Sequence, residues 1–171
     1  MSLILLRHTR PLVDTGVCYG KTDLTLALSF SKDSLEVHNR LPVIDFIISS
    51  PLLRCRQLAE LLGRWRSKPV DIDDRLQEMD FGRWEGKRWE AIPRAEIDAW
   101  AADFLHARPH GGESVAMLKQ RVDAVVAELR VDAQIGLLVT HAGVIKAAAA
   151  KGAHFDDFQT QVEFGGTLQL A

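Results

Sequence analysis

Residues 2–9 read SLILLRHT, an apolar run from Leu3 to Leu6 that stops abruptly at Arg7-His8-Thr9. Consecutive branched aliphatic side chains without polar alternation predict a strand buried on both faces, and the polar cluster predicts its carboxyl end. The pattern recurs twice. Residues 43–48 (VIDFII) lead into Ser49-Ser50-Pro51-Leu52-Leu53-Arg54, and residues 135–139 (IGLLV) lead into Thr140-His141-Ala142-Gly143. Three such runs predict three central parallel strands.

Between the runs the apolar spacing changes to that of helices. Residues 51–65 place Leu52, Leu53, Leu58, Ala59, Leu61 and Leu62 at helical intervals, and residues 114–129 do the same with Val115, Leu118, Val122, Val125, Val126 and Leu129. Shorter helices are predicted over 31–40, 94–105 and 142–151, and an edge strand over 162–171. Strand alternating with helix defines the α/β class, here a three-layer α/β/α sandwich with a mostly parallel central sheet. Residues 73–92, with Gly82, Gly86 and two tryptophans, stand apart as a loop-rich excursion. Long excursions from compact domains often serve function.

The 171 residues predict one domain, residues 1–171, because domains run to roughly 150 residues. The 21 Lys and Arg nearly balance the 23 Asp and Glu, which argues against a nucleic-acid or anionic-membrane partner held by bulk charge. Two cysteines, Cys18 and Cys55, without CxxC spacing predict neither a disulfide framework nor a metal staple, and point to the cytoplasm. The apolar start is short and ends in Arg7, so it reads as a strand and not as a cleavable signal.

In an open parallel sheet, ligands bind beyond the carboxyl ends of the strands. All three polar clusters therefore face one crevice, which holds two arginines and two histidines beside helix N-termini. Free N–H groups and the helix dipole already favour an anion there, and the natural guest is phosphate. Ser50 predicts a cap and Pro51 an opening for the helix that carries Arg54, placing this cation about one turn inside the positive end. Two readings stand for Arg54, a solvated surface arginine or an anion ligand, and the second better explains the unfavourable placement. His8 alone reads as an ordinary strand-end histidine; Arg7 beside it and the matching His141 favour a site. His106 and His110 have helical spacing, but Pro109 breaks that helix, so both read as solvated loop histidines.

The Arg7-His8-Thr9 start, SSPLLRCRQLAELL, LQEMDFGRWEG, the GGES tetrad ending at Ser114, and VTHAGVIK occur in this order. Together they resemble the histidine phosphatase superfamily, the phosphoglycerate-mutase-like fold, over about residues 2–151. GVCYGKTDLTL further resembles the α-ribazole phosphatase branch, which acts in assembling the nucleotide loop of cobalamin. The resemblance implies His8 as nucleophile, Arg7, Arg54 and His141 as the phosphate pocket with Ala142 beside them, and Glu78 as proton donor. It also puts Tyr19 and Gly20 in a loop near substrate, although a buried tyrosine and a turn glycine fit them equally well. Glu85 and Glu113 rival Glu78, since the same region holds several acids. Glu113 also reads as stabilising the helix start or holding a pocket arginine, and Ser114 as that helix's N-cap. Phe81 and Trp84 read as anchors of the excursion.

The chemistry agrees with these roles. A histidine attacks phosphorus through a neutral ring nitrogen, and neighbouring guanidinium charges disfavour a further cation. An alkoxide leaves poorly, so a carboxylic acid must protonate it. Three departures from the family pattern stand out. Thr9 replaces a common glycine, as in the α-ribazole-like branch; Val13 and Asp14 occupy the region of an expected asparagine donor; and residues 29–40 lack the usual glycine and Gln-Ala pattern. The expectation is a phosphomonoesterase that needs no metal or cofactor and acts on a small phosphorylated metabolite. A phosphoglycerate mutase or broad small-molecule phosphatase, and an inactive phospho-ligand binding domain, are the alternatives.

Overall fold

The computed structural model describes residues 2–129 and 134–170. Five strands, β1 (Ser2–Arg7), β2 (Phe46–Ser49), β3 (Val70–Ile72), β4 (Ile135–Thr140) and β5 (Thr167–Leu170), form one sheet in the order β3-β2-β4-β1-β5. All neighbours run parallel except β5, which pairs antiparallel with β1 at the edge. The three strands predicted as central are indeed contiguous, β2-β4-β1.

Alternation along β1 explains the three layers. Leu3 and Leu5 pack on one face with Val115, Leu118, Val122 and Val125 of α4 (Val115–Leu129) and Val144, Ile145 and Ala147 of α5 (Ala142–Ala149). Ile4 and Leu6 pack on the other face with Val37 of α1 (Phe30–Arg40) and Cys55, Leu58, Ala59 and Leu62 of α2 (Leu53–Arg66). A strand apolar at every position is thus required by helices on both sides. Helix α3 (Arg94–Ala102) belongs to the excursion, whose Trp84 is fully buried beside Cys18 and Ile92. Trp84 and the half-buried Phe81 are the predicted anchors. Gly82 and Gly86, at φ of 49° and 80°, make its turns.

Several predicted boundaries shift. Val43 is 77% exposed and the strand begins only at Phe46, because residues 43–45 precede the sheet. Helix α3 ends at Ala102 and not at 105, and α5 ends at Ala149. The short strand β3 has no counterpart in the expectation. Residue 171 of the predicted edge strand lies outside the described residues. No described helix is long and apolar enough to cross a membrane.

Candidate active site

Sheet register builds the site. Arg7 on β1 pairs with Thr140 on β4, and His8 N–H donates to the Thr140 carbonyl at 3.0 Å, so His8 and His141 leave adjacent strands side by side. Their ring centroids are 5.1 Å apart. The β2–β4 register does the same for Ser50, whose Oγ lies 2.8 Å from His141 Nε2.

His8 is buried, and its Nδ1 lies 2.7 Å from the Thr9 carbonyl. A carbonyl only accepts, so Nδ1 carries the proton and Nε2 keeps its lone pair. Burial, then the charge of Arg54, and to a smaller degree that of Arg7, push the His8 pKa down to about 3, against the opposing Thr9 bond. The ring is neutral at neutral pH. His141, fully buried, is held well below its ordinary range by burial and by His8 and Arg54.

Arg54 is fully buried on the first turn of α2, with Nη1 donating to Thr22 O at 2.9 Å and Nη2 to Gly20 O at 2.6 Å. The solvated reading of Arg54 is thereby overturned. The predicted Ser50 cap is also corrected: the helix begins at Leu53 with Leu52 at its cap, and Ser50 Oγ instead faces His141 and accepts from Leu52 N–H at 3.3 Å. Arg7 donates through Nη1 to Val162 O at 2.8 Å. The Nε atoms of both arginines and the Thr9 hydroxyl are buried without a partner among the described residues. Buried donors of this kind demand an acceptor, and a tetrahedral anion supplies several at once.

Tyr19 sits 5.4 Å from the Arg54 guanidinium carbon, its phenol pKa raised by burial against Arg7 and Arg54. Gly20 is a glycine because a Cβ there would lie 1.9 Å from the Met79 carbonyl oxygen. Its own carbonyl thereby reaches Arg54.

The three candidate acids separate by their bonds. Glu85 accepts from the Lys21, Thr22 and Phe81 N–H groups at 2.9, 2.7 and 3.0 Å and from the Thr22 hydroxyl. Burial alone would raise its pKa, but these bonds lower it. Glu85 therefore clamps the loop whose carbonyls hold Arg54. Glu113 makes a bidentate pair with Arg121 at 2.7 and 2.9 Å, and Arg121 in turn donates to Arg75 O and to Glu78 O. Ser114 caps α4 through the Met117 N–H at 3.2 Å. Glu78, half-buried, forms no ion pair among the described residues; its oxygens accept from Met79 N–H at 2.9 Å and Gly143 N–H at 3.0 Å. That second bond places it against the first turn of α5, next to Ala142.

Sequence reading missed Phe164. The Arg7 guanidinium carbon lies 3.9 Å from its ring centroid, and His8 lies 5.6 Å from it. An isolated aromatic beyond the last motif gives no signal of such a role. His110 is another correction. It is buried, not solvated, with Nδ1 accepting from Gly112 N–H at 2.9 Å among the rings of Trp84, Trp100 and Phe81, while His106 is exposed as expected. No cluster of three metal-ligating side chains occurs among the described residues.

Residues 3–161 match the sequence profile of the histidine phosphatase superfamily (branch 1). The chain belongs to this superfamily and is an enzyme of the phosphatase class. It is 31% identical to an adenosylcobalamin/α-ribazole phosphatase of Escherichia coli strain K12 over 160 residues, 88% of this chain and 78% of that protein. It is 32% identical to a glucosyl-3-phosphoglycerate phosphatase of Mycolicibacterium vanbaalenii, over 86% of this chain and 72% of that protein. The Salmonella typhimurium relative, an adenosylcobalamin/α-ribazole phosphatase, is 30% identical, and the match spans only 66% of its length. The α-ribazole phosphatase structure from Shigella flexneri superposes with a TM-score of 0.86 at 28% identity, covering 99% of this chain and 89% of that one.

Proposed function

We propose that the chain hydrolyses phosphate monoesters without a metal, through a phosphohistidine on His8, and that its substrate is α-ribazole 5′-phosphate in assembly of the cobalamin nucleotide loop. One observation carries the reading: a buried neutral imidazole, its Nδ1 proton on the Thr9 carbonyl, in the field of two guanidinium groups whose buried Nε atoms have no partner among the described residues. In the first step the Nε2 lone pair attacks phosphorus while the phosphorus–oxygen bond to the alcohol breaks and the alcohol oxygen takes a proton from Glu78. Positive charge gained by the ring is shared with the Thr9 carbonyl through Nδ1–H. In the second step water attacks phosphorus and gives its proton to Glu78, and the phosphorus–nitrogen bond breaks with its pair returning to Nε2. Arg7 and Arg54, joined by His141, Ala142 and Thr9, hold the equatorial oxygens, as electrostatic catalysis of phosphoryl transfer requires. Tyr19 and Gly20 border the substrate.

The α-ribazole assignment is supported by the relatives' names and by the GVCYGKTDLTL stretch; on the same reading residues 1–171 act as one histidine phosphatase domain in the cytoplasm, which the two free thiols support. The test is rapid acid-free quenching with labelled substrate. Label on His8 that survives alkali and is lost in acid, together with free phosphate from α-ribazole 5′-phosphate in the presence of EDTA, is the expected result. A His8→Ala chain with full turnover refutes the mechanism, and faster formation of 2-phosphoglycerate from 3-phosphoglycerate than of free phosphate would make it a mutase.

A further inference from the structure

Strand β2 runs into two serines with different duties. Ser49 Oγ donates to the Ser50 carbonyl at 2.9 Å, whereas Ser50, whose N–H donates to the Val139 carbonyl of β4 at 3.0 Å, is carried by that register to the His141 ring. Both Ser50 and His141 are fully buried, so bulk water does not compete for their protons. Burial, His8 and Arg54 keep the His141 ring neutral. It therefore has one proton, and the nitrogen that holds it is the ring's only donor.

The contacts of Ser50 Oγ decide which nitrogen that is. This oxygen accepts from the Leu52 N–H at 3.3 Å, and among the described residues its own proton meets one nitrogen or oxygen acceptor, His141 Nε2 at 2.8 Å. Cys55 Sγ lies 3.4 Å from the same nitrogen, but its S–H donates to the Thr140 carbonyl, and a thiol sulfur is too weak an acceptor to outweigh an O–H···N bond. Nδ1 meets only Cys55 Sγ, at 3.8 Å, among the described residues, which leaves it open to a ligand. We propose that Ser50 is a positioning residue: its hydroxyl donates to His141 Nε2, which fixes the ring proton on Nδ1 and presents His141 to phosphoryl oxygens as a donor. On the reading above, in which His141 belongs to the phosphate pocket, the two histidines hold the same tautomer and use different nitrogens. His8 offers the Nε2 lone pair to phosphorus, and His141 offers Nδ1–H to oxygen. The other tautomer of His141 would aim a lone pair at the anion.

The test reads the tautomer directly, by long-range proton–nitrogen correlation spectra of the histidine rings at neutral pH, assigned with His8→Asn and His141→Asn chains. In the wild-type chain His141 should show a protonated Nδ1 and a bare Nε2. Ser50→Ala should shift the ring toward the Nε2–H form and weaken inhibition by vanadate by about 2- to 10-fold, the span of one hydrogen bond. Ser50→Thr keeps the hydroxyl, and Cys55→Ala trims the same surroundings without removing the bond; both should retain the tautomer and the inhibition. A proton on Nε2 in the wild-type ring, or a Ser50→Ala chain whose His141 tautomer is unaltered, overturns the role of Ser50 alone. Monoesters left uncleaved by the wild-type chain overturn the phosphatase reading, and with it the ligand role of His141, whatever the ring spectrum shows.

Discussion

The Arg7 guanidinium carbon rests 3.9 Å from the centroid of the Phe164 ring. Stacking holds the plane of the cation while leaving N–H groups for other acceptors, a use suited to arginine. Phe164→Leu should weaken inhibition by vanadate, a mimic of the transferring phosphoryl group, by roughly 3- to 30-fold, the range of a partly desolvated cation–π contact. Phe164→Tyr should retain it, and equal inhibition of all three forms would remove the ring from any part in holding Arg7.

Glu78 and Gly143 make a linked pair. Glu78→Gln should lower kcat on alkyl monoesters by about 10²–10⁴-fold, yet leave the initial burst from p-nitrophenyl phosphate far less affected, since that leaving group needs no proton. A Cβ at position 143 would lie 2.2 Å from Glu78 Oε1, and the flexible carboxylate is what yields. Gly143→Ala is therefore expected to depress kcat with little change in melting temperature; the reverse pattern would show that the backbone gives way instead.

Arg121 ties Glu113 to the carbonyls of Arg75 and Glu78 from a position only 21% exposed. Arg121→Met strands a carboxylate and two carbonyls, a loss of about 2–3 kcal/mol that corresponds to roughly 4–12 °C in melting temperature for a chain of this size. Calorimetry measures it, and kcat should fall as well because the backbone of Glu78 loses its tether.

The two site histidines make folding sensitive to mild acid. His8 titrates near 3 when folded against 6.5 when free, so below the latter value the unfolded chain takes up a proton that the folded one refuses. Stability is fully present above pH 6.5 and falls by about 1.4 kcal/mol per pH unit per such group as the pH drops toward the folded value. His141 has the same sign. Urea midpoints at several pH values from neutrality to mild acid, above the range where carboxylates contribute, should show this slope, and His8→Asn should reduce it.

The parts of the molecule legible in its sequence are those in which a local pattern carries the physics. Ile4 and Leu6 beside Leu3 and Leu5 announce a strand covered on two faces, and the polar clusters after β1, β2 and β4 announce where those strands end. Strand β3 is three residues long with Asp71 and Ile72 exposed, too short and too wet to carry a periodic signal. Arg54 is ambiguous in the sequence because its partners, the carbonyls of Gly20 and Thr22, lie more than 30 residues away. His110 is covered by tryptophans that reach it only through folding of the excursion. The separate duties of Glu78, Glu85 and Glu113 likewise depend on which backbone amide or guanidinium each meets, and spacing cannot express that.

The contact between Arg7 and Val162 spans 155 residues, and Phe164 lies just beyond it. During translation Arg7 leaves the ribosome long before the segment that seats it. Until residues 162–164 emerge, the nascent chain carries the Arg7-His8 pair with one wall of its surroundings missing.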